Sequence, residues 1–178
     1  MIHLRRAREE EQGVALLEFA LLAPIFIGIL AAGLEFSRAL KHIQVSASLS
    51  REVASIAYRE CAGDEPDKVP GCLDLVRDKI QALADSVMPN SEIVVSVYQY
   101  VEATNTYSQL GLETHGGKYT TQYSLGGGKI NGITDDQLII EQERIVIGEA
   151  YVPWVSAIEG IPNIFNFSPS VFYDSTII

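Results

Sequence analysis

The sequence predicts an α+β fold in which one long N-terminal helix packs on an antiparallel β-sheet. Two observations lead to this prediction. Residues 14–60 combine a long apolar run with a helical apolar stripe, and the second half of the chain contains segments rich in β-branched and aromatic residues. Glycine-rich turns separate those segments, which favours antiparallel neighbours. The chain of 178 residues is long enough for one domain and a membrane anchor.

The charge of the chain argues against binding to nucleic acids. Its 13 Lys and Arg residues are outnumbered by 23 Asp and Glu residues, which gives a formal net charge of −10. An acidic chain is repelled by phosphate backbones, and the basic residues form no stripe with aromatic residues between them. We therefore expect no nucleic-acid partner.

The first 34 residues have the layout of a membrane-targeting segment. A leader over residues 1–13 contains three arginines, and residues 14–34 form a run of 21 residues with Glu18 as their single charge. As a helix with about 1.5 Å rise per residue, this run would be about 30 Å long, the thickness of a bilayer core. By the positive-inside tendency, the leader stays in the cytoplasm and the chain after residue 35 is exported.

Glu18 distinguishes this segment from two ordinary alternatives. One is a secretory signal peptide cut near residues 31–33, and the other is a signal anchor that is never cut. A carboxylate inside a spanning helix costs roughly 2.5–3.5 kcal/mol on insertion scales, which counts against both. The run contains no Lys, Arg or His to pair with Glu18. Its partner must then come from another chain, unless Glu18 lies near the membrane surface.

The residues around Glu18 resemble the prepilin cleavage motif of the tight-adherence pilus system. Gly13 is followed, after four residues, by Glu18 and then by Phe19. The longer run is similar to the start of the TadE and TadF pseudopilins, which have an EFAL block, a proline and an EF-x-R exit. The corresponding residues here are Glu18-Phe19-Ala20-Leu21, Pro24 and Glu35-Phe36-Ser37-Arg38. The resemblance covers residues 11–60 and is only general beyond them.

The resemblance implies a pilin-like subunit that a membrane prepilin peptidase cuts between Gly13 and Val14. Cleavage would make Val14 the new N-terminus and Glu18 its fifth residue. In related pilins this glutamate pairs with the N-terminal amine of a neighbouring subunit, so Glu18 and Val14 are the expected pairing residues. The expected partners are the peptidase, other minor pilins, the major Flp-like pilin and inner-membrane platform proteins.

The function implied by the resemblance is that of a minor pilin, or pseudopilin, which initiates or caps a filament. We expect one span in a bacterial inner membrane, a periplasmic C-terminal domain, and later a place in the pilus. No cofactor and no enzymatic activity are expected, because the sequence shows no nucleophile, metal or acid–base constellation. The alternative is an unprocessed, single-pass protein that displays a periplasmic binding domain.

Pro24 and Gly28 lie inside the apolar run. Proline in a helix interior removes a backbone hydrogen bond and kinks or loosens the helix. We expect a kink here, which would let the helix bend or partly melt when a subunit leaves the bilayer. The alternative is that both residues serve only helix packing, since Pro and Gly are frequent in membrane helices.

The exported part is predicted to consist of the second half of the helix, over residues 35–60, and a globular domain over residues 61–178. One helical face is marked by Phe36, Leu40, Ile43, Ala47, Ala54, Ala57 and Cys61, with a second stripe of Leu49, Val53 and Ile56 beside it. We expect His42 to lie on the surface. A second helix is predicted over residues 73–87, and strands over 93–101, 119–125, 138–152 and 170–178.

Cys61 and Cys72 flank a loop that contains Gly63 and Pro66. In an exported domain a disulfide between them is possible, and it would stabilise the fold by roughly 3 kcal/mol. In a reducing cytosol they would remain two free thiols. A zinc site would need two further ligands at suitable spacing, and none is evident.

Overall fold

The computed structural model describes residues 2–114, 117–133, 144–156 and 171–178, with side chains from residue 16 onward. Within these residues the chain forms two α-helices and six β-strands. They are α1 (Ile2–Cys61), α2 (Val69–Val87), β1 (Glu92–Val101), β2 (Thr106–Thr114), β3 (Leu125–Gly126), β4 (Lys129–Ile130), β5 (Arg144–Pro153) and β6 (Val171–Ile177). The predicted α+β fold class is confirmed.

The chain divides into two compact units. The N-terminal unit comprises Met1–Leu40 together with Ser156–Ser168, and the globular unit comprises Lys41–Val155 together with Pro169–Ile178. The first part of α1 is the described portion of the N-terminal unit. The globular unit contains the rest of α1, together with α2 and all six strands.

Helix α1 is continuous from Ile2 to Cys61 and includes Pro24. The helix predicted over residues 14–60 is confirmed, and the leader from Ile2 onward is helical as well. Among the described residues, α1 is the one helix long and apolar enough to cross a membrane. The most apolar part of this helix is not buried against the rest of the chain.

Strands β1, β2, β5 and β6 form one antiparallel sheet in the order β2-β1-β5-β6. Strands β3 and β4 form a separate two-stranded ladder. Gly127 and Gly128 at its tip have φ angles of 60° and 80°, a left-handed conformation that favours glycine. This ladder confirms one of the glycine-rich turns predicted from the sequence, the one at residues 126–128.

The core of the globular unit lies between the helices and one face of the sheet. Successive strand residues point to opposite faces, so every second residue of β1 and β5 contributes to this core. The fully buried members are Val53, Ala57 and Cys61 from α1, Val69, Leu73, Val76 and Ala84 from α2, Ile93, Val95 and Val97 from β1, and Val146, Ala150 and Val152 from β5.

Helix α1 touches the backbone of β5 at Gly148. A Cβ placed on Gly148 would lie 2.5 Å from Ser50 O and 2.7 Å from Ala54 N, both main-chain atoms of α1. Because Gly148 has no side chain, the helix can lie directly on the backbone of β5. Ser50 adds a polar link on the same side, because its hydroxyl donates to Asp174 Oδ2 of β6.

The apolar stripe of α1 that was predicted from residue spacing is only partly buried. Ala54, Ala57 and Cys61 are fully buried, as expected, but Phe36, Leu40 and Ile43 are 64, 42 and 45% exposed. Apolar residues surround this part of α1, so their spacing does not identify one inward face. Within the globular unit, the buried residues Ser46 and Ser50 lie on the inward face of α1 instead.

The surface position predicted for His42 is also wrong. Its ring is half-buried and lies 5.0 Å from the ring of Trp154 and 5.9 Å from that of Phe172. Spacing along α1 does not reveal this contact, because both aromatic partners come from strand ends far away in the sequence.

Helix α2 begins at Val69, earlier than residue 73, and the strands predicted over 93–101 and 170–178 correspond to β1 and β6. The strand predicted over 119–125 is wrong, since residues 119–124 form no strand. Strand β2, at the edge of the sheet, was not predicted. The prediction over 138–152 is confirmed from Arg144 onward, and its first part lies outside the described residues.

We predict that Gly148→Ala destabilises the globular unit by about 1–3 kcal/mol, because the added methyl group collides with main-chain atoms that cannot rotate away. Chemical denaturation monitored by the fluorescence of the single tryptophan measures this change. Gly71→Ala is the matched control, since a Cβ at Gly71 meets no atom within 4 Å and the residue lies in α2. The control should be neutral or gain up to about 1 kcal/mol. Equal stability of the two variants would contradict the assigned helix–sheet contact.

Candidate functional site

The predicted junction between Gly13 and Val14 lies inside α1, with helical backbone on both sides. A protease holds its substrate extended, so a cut at this bond requires the helix to open locally. Glycine is the residue that makes such opening least costly, since it disfavours a helix interior by about 1 kcal/mol relative to alanine. Cleavage between Gly13 and Val14 would therefore require the helix to unwind locally first.

Glu18 is an exposed carboxylate within an exposed apolar surface. Its neighbours Leu17 and Phe19 are 65 and 70% exposed, which is typical of a helix that contacts lipid or other helices. In the part of the chain whose side chains are described, no ion pair or hydrogen bond of Glu18 occurs. Inside a bilayer such an isolated charge would be costly.

The distances along α1 exclude a partner from the same helix. No Lys, Arg or His occurs between Arg8 and Arg38. These residues lie ten positions before and twenty positions after Glu18, which corresponds to about 15 Å and about 30 Å of helix. Neither side chain can bridge such a distance, so α1 offers no cation within reach of Glu18.

The structure places Pro24 and Gly28 in an uninterrupted stretch of α1. A Cβ on Gly28 would meet no atom within 4 Å, so no contact in this chain requires glycine there. The kink expected at these two residues stays a prediction. The open space around Gly28 leaves a surface where another helix could lie close to the backbone.

A disulfide joins Cys61 to Cys72, with their Cα atoms 5.7 Å apart. It connects the last residue of α1 to the first turn of α2, so the disulfide alternative is confirmed. Arg144 also holds this loop, a contact that the sequence analysis did not predict. One guanidinium nitrogen of Arg144 donates to the main-chain oxygens of Ala62 and Asp64, at 2.5 and 2.6 Å.

Residues 13–55 match the model of a family described as TadE-like protein. This match confirms the resemblance drawn from Gly13, Glu18, Pro24 and the exit motif. It covers about a quarter of the chain and leaves most of the globular unit without a counterpart. No curated protein and no solved structure matches the chain.

We predict that removing the disulfide lowers the free energy of unfolding by about 3 kcal/mol, because the open loop restores chain entropy to the unfolded state. Denaturation with and without a reductant measures the difference. The double variant Cys61→Ala, Cys72→Ala provides the control, since a reductant should leave its stability unchanged. A wild-type protein that is insensitive to reductant would show that the bond contributes no stability.

Proposed function

We propose that this chain, which is TadE-like over residues 13–55, is a minor pilin of a tight-adherence pilus that assembles after cleavage between Gly13 and Val14. The observation that supports this function best is Glu18, a carboxylate without a described partner, five residues after the proposed cut. The family match supports a relation to Tad pili. Processing, assembly and partners are the proposed part.

Cleavage would supply a cation to the apolar run over residues 14–34, which contains none. The new α-amine of Val14 is positively charged at neutral pH, and in a helix it would lie within an apolar surface like that around Glu18. Each charge alone is costly there, whereas a pair compensates both. In the uncut chain the nitrogen of Val14 is a neutral amide, so the subunit would become competent to pair only after processing.

The amine of Val14 and the carboxylate of Glu18 would pair between subunits. Residues 14 and 18 lie one turn apart on one helix, so a second subunit displaced along the axis can place its amine at the carboxylate of the first. Such a pair fixes the axial register of neighbouring helices. The exposed apolar residues Phe36, Leu40 and Ile43 extend the same helix surface for lateral contact.

In this proposal the leader remains in the cytoplasm, α1 spans the inner membrane, and the globular unit is periplasmic. The arginines of the leader favour this orientation. The disulfide fits an oxidising compartment on the far side of the membrane. The peptidase, the other minor pilins, the Flp-like pilin and the platform proteins are the proposed partners, and the role is structural and non-enzymatic.

A second candidate is an uncut, single-pass protein that displays its globular unit for binding. The same exposed apolar helix would then serve only as an anchor. The N-terminal residue of the mature protein discriminates between the two functions, because a start at Val14 indicates a pilin and a start at Met1 an anchor. A start near Leu34 would indicate a signal peptide.

We predict that Gly13→Leu abolishes processing and leaves the full-length chain in the membrane, because a bulky side chain obstructs the extended backbone at the cut. Immunoblotting and N-terminal sequencing of the membrane fraction provide the readout. The matched control is Gly28→Leu, which places the same side chain at a glycine of the span where the chain has open space. It should be processed normally. Normal cleavage of Gly13→Leu would overturn the assigned junction.

We predict that Glu18→Gln is processed normally but no longer assembles with its partner subunits. Losing one member of a buried charge pair costs about 3–5 kcal/mol, which weakens the contact by a factor between about 10² and about 4 × 10³. Co-purification with cross-linked pilins measures the loss. Glu52→Gln, an exposed residue of the same helix, is the control and should assemble like the wild type. Wild-type assembly of Glu18→Gln would contradict the pairing while leaving the cleavage site untouched.

A further inference from the structure

The face of the sheet opposite the helices is covered by residues 117–133, which we name the strap. Tyr98 of β1 donates a hydrogen bond to Tyr123 O of the strap, and Ile130 packs with Ile145 and Ile147 of β5. Tyr119 stacks on Tyr151 with 4.6 Å between ring centroids. These contacts bury a sheet face that is solvated in many antiparallel proteins.

Glu149 of β5 lies on this covered face and is fully buried. Its Oε1 accepts hydrogen bonds from Gln122 N at 2.9 Å and Tyr173 Oη at 3.0 Å. Tyr151 Oη, which donates to Thr120 O at 2.8 Å, lies 3.3 Å from the same oxygen. Its Oε2 is inaccessible to solvent and has no hydrogen-bond partner among the described residues. One oxygen of the carboxylate is thus hydrogen-bonded to the strap and to β6, while the other accepts no hydrogen bond from the described residues.

A second carboxylate lies beside Glu149 on the same face. Glu92 of β1 pairs with Tyr151, and Glu149 pairs with Val94, so the two acids occupy diagonal positions on adjacent strands. Glu92 Oε2 accepts the N–H of Tyr119 at 3.2 Å. The strap is therefore hydrogen-bonded to both acids, to Glu92 through Tyr119 N and to Glu149 through Gln122 N. In the described part of the chain, neither acid forms an ion pair with Lys, Arg or His.

The remaining polar groups around Glu149 offer neutral oxygen atoms. Tyr151 Oη lies 2.8 Å from Thr120 O, and Tyr173 Oη is in contact with Glu149. Each phenol oxygen has two lone pairs, and Tyr151 Oη uses one of them to accept from Gln122 Nε2 at 3.4 Å. The remaining lone pairs can face a cation.

We propose that Glu149 and Glu92 bind a hard divalent cation of the calcium type. Oxygen atoms of the strap and the hydroxyl groups of Tyr151 and Tyr173 complete the site. Two negative charges call for a dication, and a set of oxygen donors without sulfur or imidazole selects calcium over zinc or copper. Mg²⁺ fits less well, because it keeps several waters and demands a strict octahedron. The cation would fasten the strap to the sheet, and this inference does not depend on the proposed pilus function.

Terbium luminescence provides the test, because Tb³⁺ replaces Ca²⁺ at oxygen sites and tyrosines near the ion sensitise its emission. Full-length protein in detergent is stripped with EDTA and titrated with Tb³⁺. We expect saturable, tyrosine-sensitised emission that Ca²⁺ displaces. Glu149→Gln should lose affinity by about tenfold or more, since even residues beyond the ligand shell typically contribute that much. The exposed Glu102→Gln variant is the matched control and should bind Tb³⁺ like the wild type.

A second measurement on the wild-type protein covers the case in which Glu149→Gln does not fold. Saturating Ca²⁺ should raise the Tm of the EDTA-treated protein by about 5 °C, whereas NaCl at equal ionic strength should not. The proposal is overturned if Ca²⁺ leaves the Tm unchanged, or if Tb³⁺ emission persists unaltered in a folded Glu149→Gln variant. Either outcome would assign Glu149 Oε2 to a buried water molecule, the usual occupant of such a position.

Discussion

The globular unit depends on the contact between α1 and β5 at Gly148. Two main-chain atoms of the helix lie where any side chain at this position would begin, so helix and strand meet backbone to backbone. This constraint turns Val53, Ala54 and Ala57 inward and places Ser50 next to β6. It thereby determines which residues of the helix remain exposed. Phe36, Leu40 and Ile43 are exposed, although apolar side chains of this size are usually buried in a core.

Much of this architecture can be predicted from the sequence, because its strongest signals are local. The length of the apolar run and the absence of Gly or Pro over residues 35–59 suffice to identify a long helix. The inward face of that helix is not a local property. It depends on a glycine about a hundred residues later in the chain. A dependence on distant residues also explains why the strand predicted over residues 119–125 is wrong. The tyrosines of this segment are typical of strands, but here the segment covers β1 and β5 by stacking and hydrogen bonding.

Glu18 can be recognised as a candidate functional residue from the sequence, whereas Glu149 cannot. Glu18 is conspicuous in the sequence, because every residue around it is apolar and a single charge there demands an explanation. Glu149 is the single acid of β5, and an acid in an antiparallel strand usually lies on a solvated face. Only the position of the strap shows that its carboxylate is enclosed. Burial by a distant segment leaves no periodic signal, so the second acid becomes visible only in three dimensions.

The disulfide has a mechanical consequence. A force applied along α1 can reach the sheet through the side contacts around Gly148 or through the covalent bond between Cys61 and Cys72. The first route resists sliding of the helix over the strands, and the second prevents the end of the helix from peeling away from α2. With the bond closed, tension on the helix is shared between packing and covalent structure. With it open, the end of α1 is held by noncovalent contacts alone, and the globular unit yields at a lower load.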